Sequence, residues 1–244
     1  MAALPEGRLC VFGKIPGRGD FIHRGLSPAL RRAWDAWVED GLAAVRRIYG
    51  ADWRDRLSVP IWRICLPAEL APGAPGLIGV MLCGTDAVGR PYPLLLGVEL
   101  SQPLDPVPLM AGSARWFAAV EALGLDALDP AFDPQELDRR VLPRWHAADL
   151  PAPAADAGGA AGLAVPLPMA SAAAATAQRL CGDQAARLCL FWTAGSGRTP
   201  PCLAVMPALL PERLFPALMD GQWRSHGWPT GAEPAPAAGW DRDA

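Results

Sequence analysis

"LIGVMLCGTDAVGRPYPLLLGVEL", residues Leu77 to Leu100, holds two apolar runs on either side of a short turn containing Asp86, Gly89 and Pro91. Runs of this length, broken by such residues, predict two strands joined by a tight connection. Neither run alternates apolar with polar side chains. A strand covered on both faces needs no polar side, so the pair is expected inside a sheet rather than on a solvated surface. Working outward, "LCVF" at Leu9–Phe12, "VPIWRICLP" between Pro60 and Pro67, "RLCLFWT" and "CLAVMP" each predict a further strand.

The segment "PALRRAWDAWVEDGLAAVRRIY" from Pro28 to Tyr49 has a different period. Leu30, Trp34 or Ala33, Trp37, Gly41, Ala44 and Ile48 recur on one helical face, while Arg31, Asp35, Glu39 and Arg46 lie away from it. Ser27 before Pro28 suits an N-cap followed by proline at the first helical position. Further helices are predicted over 108–123 and 134–141, and a last short one in "PERLFPALMDG", kinked or split at Pro216. From 151 to 177 the composition shifts to Ala, Gly and Pro, which reads as a mobile surface excursion or a poorly specified connection. Residues 229–244 form a Pro- and Ala-rich tail without apolar period, expected to be disordered. Strands and helices otherwise interleave without a linker. Residues 1–228 are therefore expected to form a single α/β domain with helices on both faces of a central mixed sheet.

Composition excludes several functions. Apolar residues make up 51% of the 244-residue chain and charged residues 19%, enough for a sizeable core. The net charge of −3 lacks the basic excess of a nucleic-acid binder. No apolar run resembles a secretory signal or a membrane span, so a cytoplasmic protein without membrane insertion is expected.

The loop "GKIPGRGDFIHRGL", Gly13 to Leu26, invites a phosphate-binding reading but fails its test. Arg8 stands where a P-loop needs its first glycine, Ile15 follows Lys14, and Ile22 breaks the dinucleotide pattern after Gly17 and Gly19. "AGSG" at Ala194–Gly197 lacks the glycines of a nucleophile elbow. His23, His146 and His226 have no metal-ligand spacing, and the six cysteines sit singly among apolar neighbours, as buried thiols do. No catalytic residue, metal or cofactor is expected. Asp20 and Arg90 stand out because each occupies a glycine-flanked turn at a strand end. They can converge on one rim of the sheet, either pairing with each other or satisfying backbone groups to lock two loops, or presenting a binding surface.

These segments also carry a resemblance. "VFGKIPGRGDF" resembles the opening signature of the TagF family of type VI secretion-associated proteins, G-K-x-P-x-x-G-D-F, here Gly13, Lys14, Pro16, Gly19, Asp20 and Phe21. In order, "WDAWVEDGLAA" is similar to the family's first helix, "PIWRICL" to its next strand and "GTDAVGRPYPL" to its D-x-V-G-R segment, with Asp86, Val88, Gly89, Arg90, Tyr92, Pro93 and Leu94. "LFWTAGSG" and "LPERLFPALMDGQW" are similar to its late segments. The resemblance implies a three-layer α/β/α domain and a cytoplasmic protein that represses type VI secretion after translation by binding a forkhead-associated scaffold protein. It implies no catalytic residue and no cofactor. Lys14, Arg18, Asp20, Asp86, Arg90 and Trp192 then become candidates for partner binding or loop bracing. Two other readings of the same residues are a metal-dependent hydrolase using Asp20 and Asp86, and a phosphopeptide-binding module gripping phosphate with Arg18 and Arg90.

Overall fold

Strands β4 (Gly76–Thr85) and β5 (Pro91–Leu100) pair antiparallel along their whole length, from Gly76 opposite Leu100 to Thr85 opposite Pro91. The hairpin is the centre of the molecule in the computed structural model, which describes residues 9–56, 60–100, 106–139, 163–167, 172–197, 199–209 and 212–228. On one side β5 pairs with β1 (Leu9–Gly13), and β1 with the edge strand β2 (Ile22–Arg24). On the other, β4 pairs with β3 (Trp62–Leu66), followed by β7 (Cys189–Thr193), β8 (Cys202–Met206) and β6 (Leu163–Pro166). The result is one eight-stranded sheet in the order β2-β1-β5-β4-β3-β7-β8-β6.

Every pairing in this sheet is antiparallel. This overturns the expectation of a three-layer α/β/α domain around a mixed sheet. The physical reason lies in the connections. Parallel neighbours require a long crossover, whereas antiparallel neighbours can follow one another directly, and β1–β2, β3–β4, β4–β5 and β7–β8 are each consecutive in the chain. The near-continuous apolar runs have another cause: helices bury both faces of an antiparallel sheet. Trp62, Ile64, Leu77, Met81 and Phe191 pack beneath α1 (Pro28–Tyr49) and α6 (Pro216–Asp220). Cys65, Val80, Leu82, Leu190 and Trp192 pack on the opposite side with α2 (Pro106–Gly112), α3 (Ala114–Asp126) and α5 (Ala173–Cys181).

Helix α1 has the predicted bounds, and its ends explain them. The Ser27 hydroxyl accepts the Leu30 amide at 3.4 Å, Pro28 opens the first turn, and Arg46 and Arg47 sit at the negative end of the helix dipole. Its buried face carries Leu30, Trp34, Trp37, Val38, Leu42 and Val45, whereas Ile48, assigned to that face by periodicity, is exposed. Gly41 is required by packing: a Cβ there would lie 2.2 Å from the ring of Phe215. Each large apolar side chain on this face contributes roughly 1.5–3 kcal/mol through burial.

Other elements depart from the sequence reading. The helix predicted over 108–123 is two helices, α2 and α3, divided at Ser113, and the one predicted over 134–141 holds α4 (Glu136–Arg139), with residues 140 and 141 outside the described residues. Strand β2 forms inside a stretch read as irregular, and β6 and the first half of α5 form within the Ala- and Gly-rich stretch. The last helix, by contrast, is divided at Pro216 as expected, with a separate turn at Glu212–Leu214 before α6. Residues 151–162, the proposed tail 229–244 and His146 lie outside the described residues.

Candidate functional site

Strand β1 ends at Gly13, β4 ends at Thr85 and β5 begins at Pro91, so the chain after β1 and the β4–β5 turn emerge at the same end of the sheet. They are pressed together. A Cβ on Gly84 would fall 2.2 Å from the Lys14 carbonyl oxygen, so a side chain at this position would push the loop off the hairpin. The Ala87 amide then donates to the Arg18 carbonyl at 2.9 Å.

Asp86 closes the junction. Its Oδ1 accepts the amides of Val88 at 3.1 Å and Arg90 at 2.8 Å, while Oδ2 accepts Lys14 Nζ at 3.1 Å and Arg90 Nε at 2.6 Å. The Asp86 side chain is fully buried, Lys14 is nearly so, and Arg90 remains 60% exposed. Burial by itself would raise the carboxyl's pKa. The Arg90 amide, the Lys14 ammonium, the Arg90 guanidinium and the Val88 amide together outweigh that and hold it below the usual carboxylate range. Arg90 also reaches across to the other loop, donating from Nη2 to the Gly19 carbonyl at 3.2 Å. One carboxylate and two cations thus clasp two loops.

The remaining candidates fall differently. Asp20 is exposed and makes no hydrogen bond or ion pair among the described residues, and the guanidinium of Arg18 is likewise exposed and unpartnered. Arg90 meets the backbone just before Asp20, but the carboxylate it pairs with is that of Asp86. Trp192 is 2% exposed on β7, edge-on to Phe117 at 5.1 Å, and contributes to the core beneath the rim.

Sequence reasoning missed the apolar part of this rim. Phe21 stacks on Phe12 at 5.5 Å between ring centroids, meets Tyr92 edge-on at 4.7 Å and lies 5.1 Å from Lys14 Nζ, yet stays 44% exposed. Tyr92 is tied to α1 by donating its hydroxyl to Asp35 at 2.5 Å. Burial first, and that hydrogen bond second, push the phenol's pKa up. Val88, at the tip of the hairpin, is 73% exposed. The aromatics at 21 and 92 within the recognised motifs were the available signal.

A second polar cluster lies within the α1 side of the core. The Tyr49 hydroxyl donates to Asp220, and His226 Nε2 lies 2.9 Å from the same carboxylate oxygen and 3.3 Å from the Tyr49 hydroxyl. The side chains of His226 and Asp220 are both nearly buried. Among the described residues no group of three or more His, Cys, Asp or Glu side chains is gathered as a metal would require, and no helix is long and apolar enough to cross a membrane. Cys83, the part-exposed thiol, is pushed up to about 11 by burial and so is held as the thiol at neutral pH.

Comparison with known proteins places this rim in context. The family model described as "TagF N-terminal domain, Type VI secretion system-associated" matches residues 10–143, a span that includes both clasped loops. Among solved structures, the crystal structure of PA0076 from Pseudomonas aeruginosa PAO1 is similar with a TM-score of 0.66 and 30% sequence identity, covering 88% of this chain and 94% of that one. A comparison with curated proteins found no match. With the family model spanning more than half of the chain, the protein belongs to the TagF family of type VI secretion system-associated proteins.

Proposed function

We propose that this chain is a non-enzymatic cytoplasmic regulator that represses assembly or activity of a type VI secretion system after translation, by binding a forkhead-associated scaffold protein of that system. The observation that carries the reading is the family match over residues 10–143. The geometry of the rim supports it. Asp86, which a hydrolase would need as an acid or metal ligand, has both oxygens engaged by two amides, an ammonium and a guanidinium. The same contacts give two loops a fixed backbone with exposed side chains, which suits recognition of another protein.

The test is genetic and biochemical. In a bacterium whose own TagF homologue has been deleted, expression of this chain is expected to reduce type VI secretion, and the purified chain is expected to capture the forkhead-associated scaffold protein. Unchanged secretion with no capture would overturn the proposal.

A further inference from the structure

We infer that the two loops clasped by Asp86 form a preformed docking surface for an acidic segment of a partner protein, with Phe21 and Val88 as apolar anchors and Arg18 and Arg90 as the cations that select it. The inference rests on the protein-binding reading above and adds the surface and the chemistry of what it takes.

The argument starts from exposure combined with rigidity. An apolar side chain on a loose loop carries little information, because it adopts whatever position water allows. Phe21 is held by the Phe12 ring, the Tyr92 edge and the Lys14 ammonium, yet almost half of it faces solvent. Val88 projects from a turn whose backbone is fixed three times over. Its own amide and that of Arg90 bond to the Asp86 carboxylate, and the Gly89 amide donates to the Asp86 carbonyl at 2.9 Å. Little entropy remains to be lost when either side chain is covered, which is the condition under which a small apolar contact yields useful affinity. A ring and a guanidinium are also the side chains that most often dominate protein interfaces.

Charge then chooses the partner. The two loops carry Lys14, Arg18 and Arg90 against Asp20 and Asp86, an excess of one cation on a chain of net charge −3. Asp86 is cancelled internally by Lys14 and Arg90, so the charges facing solvent are Arg18, the outer part of Arg90 and Asp20. The Arg18 guanidinium has no partner among the described residues, and Arg90 uses Nε and Nη2 but leaves Nη1 available. An apolar residue flanked by carboxylates on the partner would cover Phe21 and Val88 while giving both guanidinium groups a charged acceptor.

The experiment places a photocrosslinking amino acid, p-benzoylphenylalanine, at Val88 of the full chain and, as a control, at Ile48, an exposed apolar residue on α1. Both are expressed in secretion-competent cells, irradiated, and the adducts mapped by mass spectrometry to the crosslinked peptide. The expected result is a protein adduct from position 88, absent from position 48, on a segment in which apolar and acidic residues alternate. Arg18→Glu should then weaken binding of that purified partner by tenfold or more while leaving the Tm unchanged. If the adduct is the forkhead-associated scaffold protein, both proposals stand. If it is another protein with such a segment, the docking surface stands and the scaffold assignment falls. Lipid adducts only, the same adducts from both positions, a segment without carboxylates, or no adduct from position 88 would overturn the docking surface and leave the regulatory reading to its own test.

Discussion

Two buried carboxylates, Asp86 and Asp220, each gather hydrogen-bond donors from distant parts of the chain, yet their surroundings differ. Asp220 takes the Tyr49 hydroxyl and lies against His226, and all of this is sealed beside Trp223 and Trp228, which meet edge to face at 4.8 Å. The cluster joins the end of α1 to the C-terminal turns. Asp86 draws in Lys14 and Arg90 but leaves Arg90 largely in water, on the same two loops that expose Phe21 and Val88. The difference is that Asp86 passes its order on to exposed side chains, as the proposed docking surface requires, whereas Asp220 holds buried elements together as a latch.

The largest expected effect is that of Asp86→Ala. Removing the acceptor leaves the Lys14 ammonium nearly buried without its partner and frees two turn amides, so the Tm should fall by on the order of 10 °C, with loss of partner capture. Thermal melting and a pull-down measured on the same preparation check both. Asp220→Ala comes next, with a Tm fall of roughly 5 °C as Tyr49 and His226 lose their shared acceptor. Partner capture by Asp220→Ala at 10 °C should nevertheless match the wild type. A loss of capture comparable to that of Asp86→Ala would erase the distinction between latch and surface.

Acid sharpens the comparison. Because the folded protein holds the Asp86 pKa below its ordinary value, the stability it contributes is fully present above the unfolded carboxyl's pKa of about 3.9 and is lost as pH falls through the lower, folded value. The Tm difference between wild type and Asp86→Asn should therefore be greatest near pH 6 and narrow once the pH drops below about 4. A difference that stays constant with pH would mean that the charge of the carboxylate does not hold the clasp. The smallest expected effect on stability is that of Val88→Ala. A 73% exposed side chain buries little, so its Tm should lie within about 1 °C of wild type.

Much of the frame was legible in the amino-acid pattern. The period of α1 and the Ser27–Pro28 start gave its bounds, and the two apolar runs around Gly89 gave the central hairpin. Strand direction was harder to read. Strands alternating with helices, and apolar runs without alternation, suggest parallel crossovers, and the antiparallel outcome depends on how β5, β6 and β7 are connected through α2, α3 and α5, which carries no local signal. Strand β2 is three residues long and exists because β1 offers it hydrogen bonds, while β6 draws its definition from β8. At the rim, sequence brought Asp20 and Arg90 forward because both lie in glycine turns. The partner of Arg90 is Asp86, four residues earlier in the same turn, where a carboxylate that bonds the next amides is the expected behaviour of an Asp opening a turn. That local rule was the better guide.

The most direct measurement is a titration of the forkhead-associated scaffold protein into wild type and Val88→Asp, with the Tm of each recorded alongside. A preformed surface at the clasped loops predicts that the wild type binds, that Val88→Asp binds at least tenfold more weakly, and that the two melt within about 1 °C of each other. Equal affinity for the two proteins would contradict it.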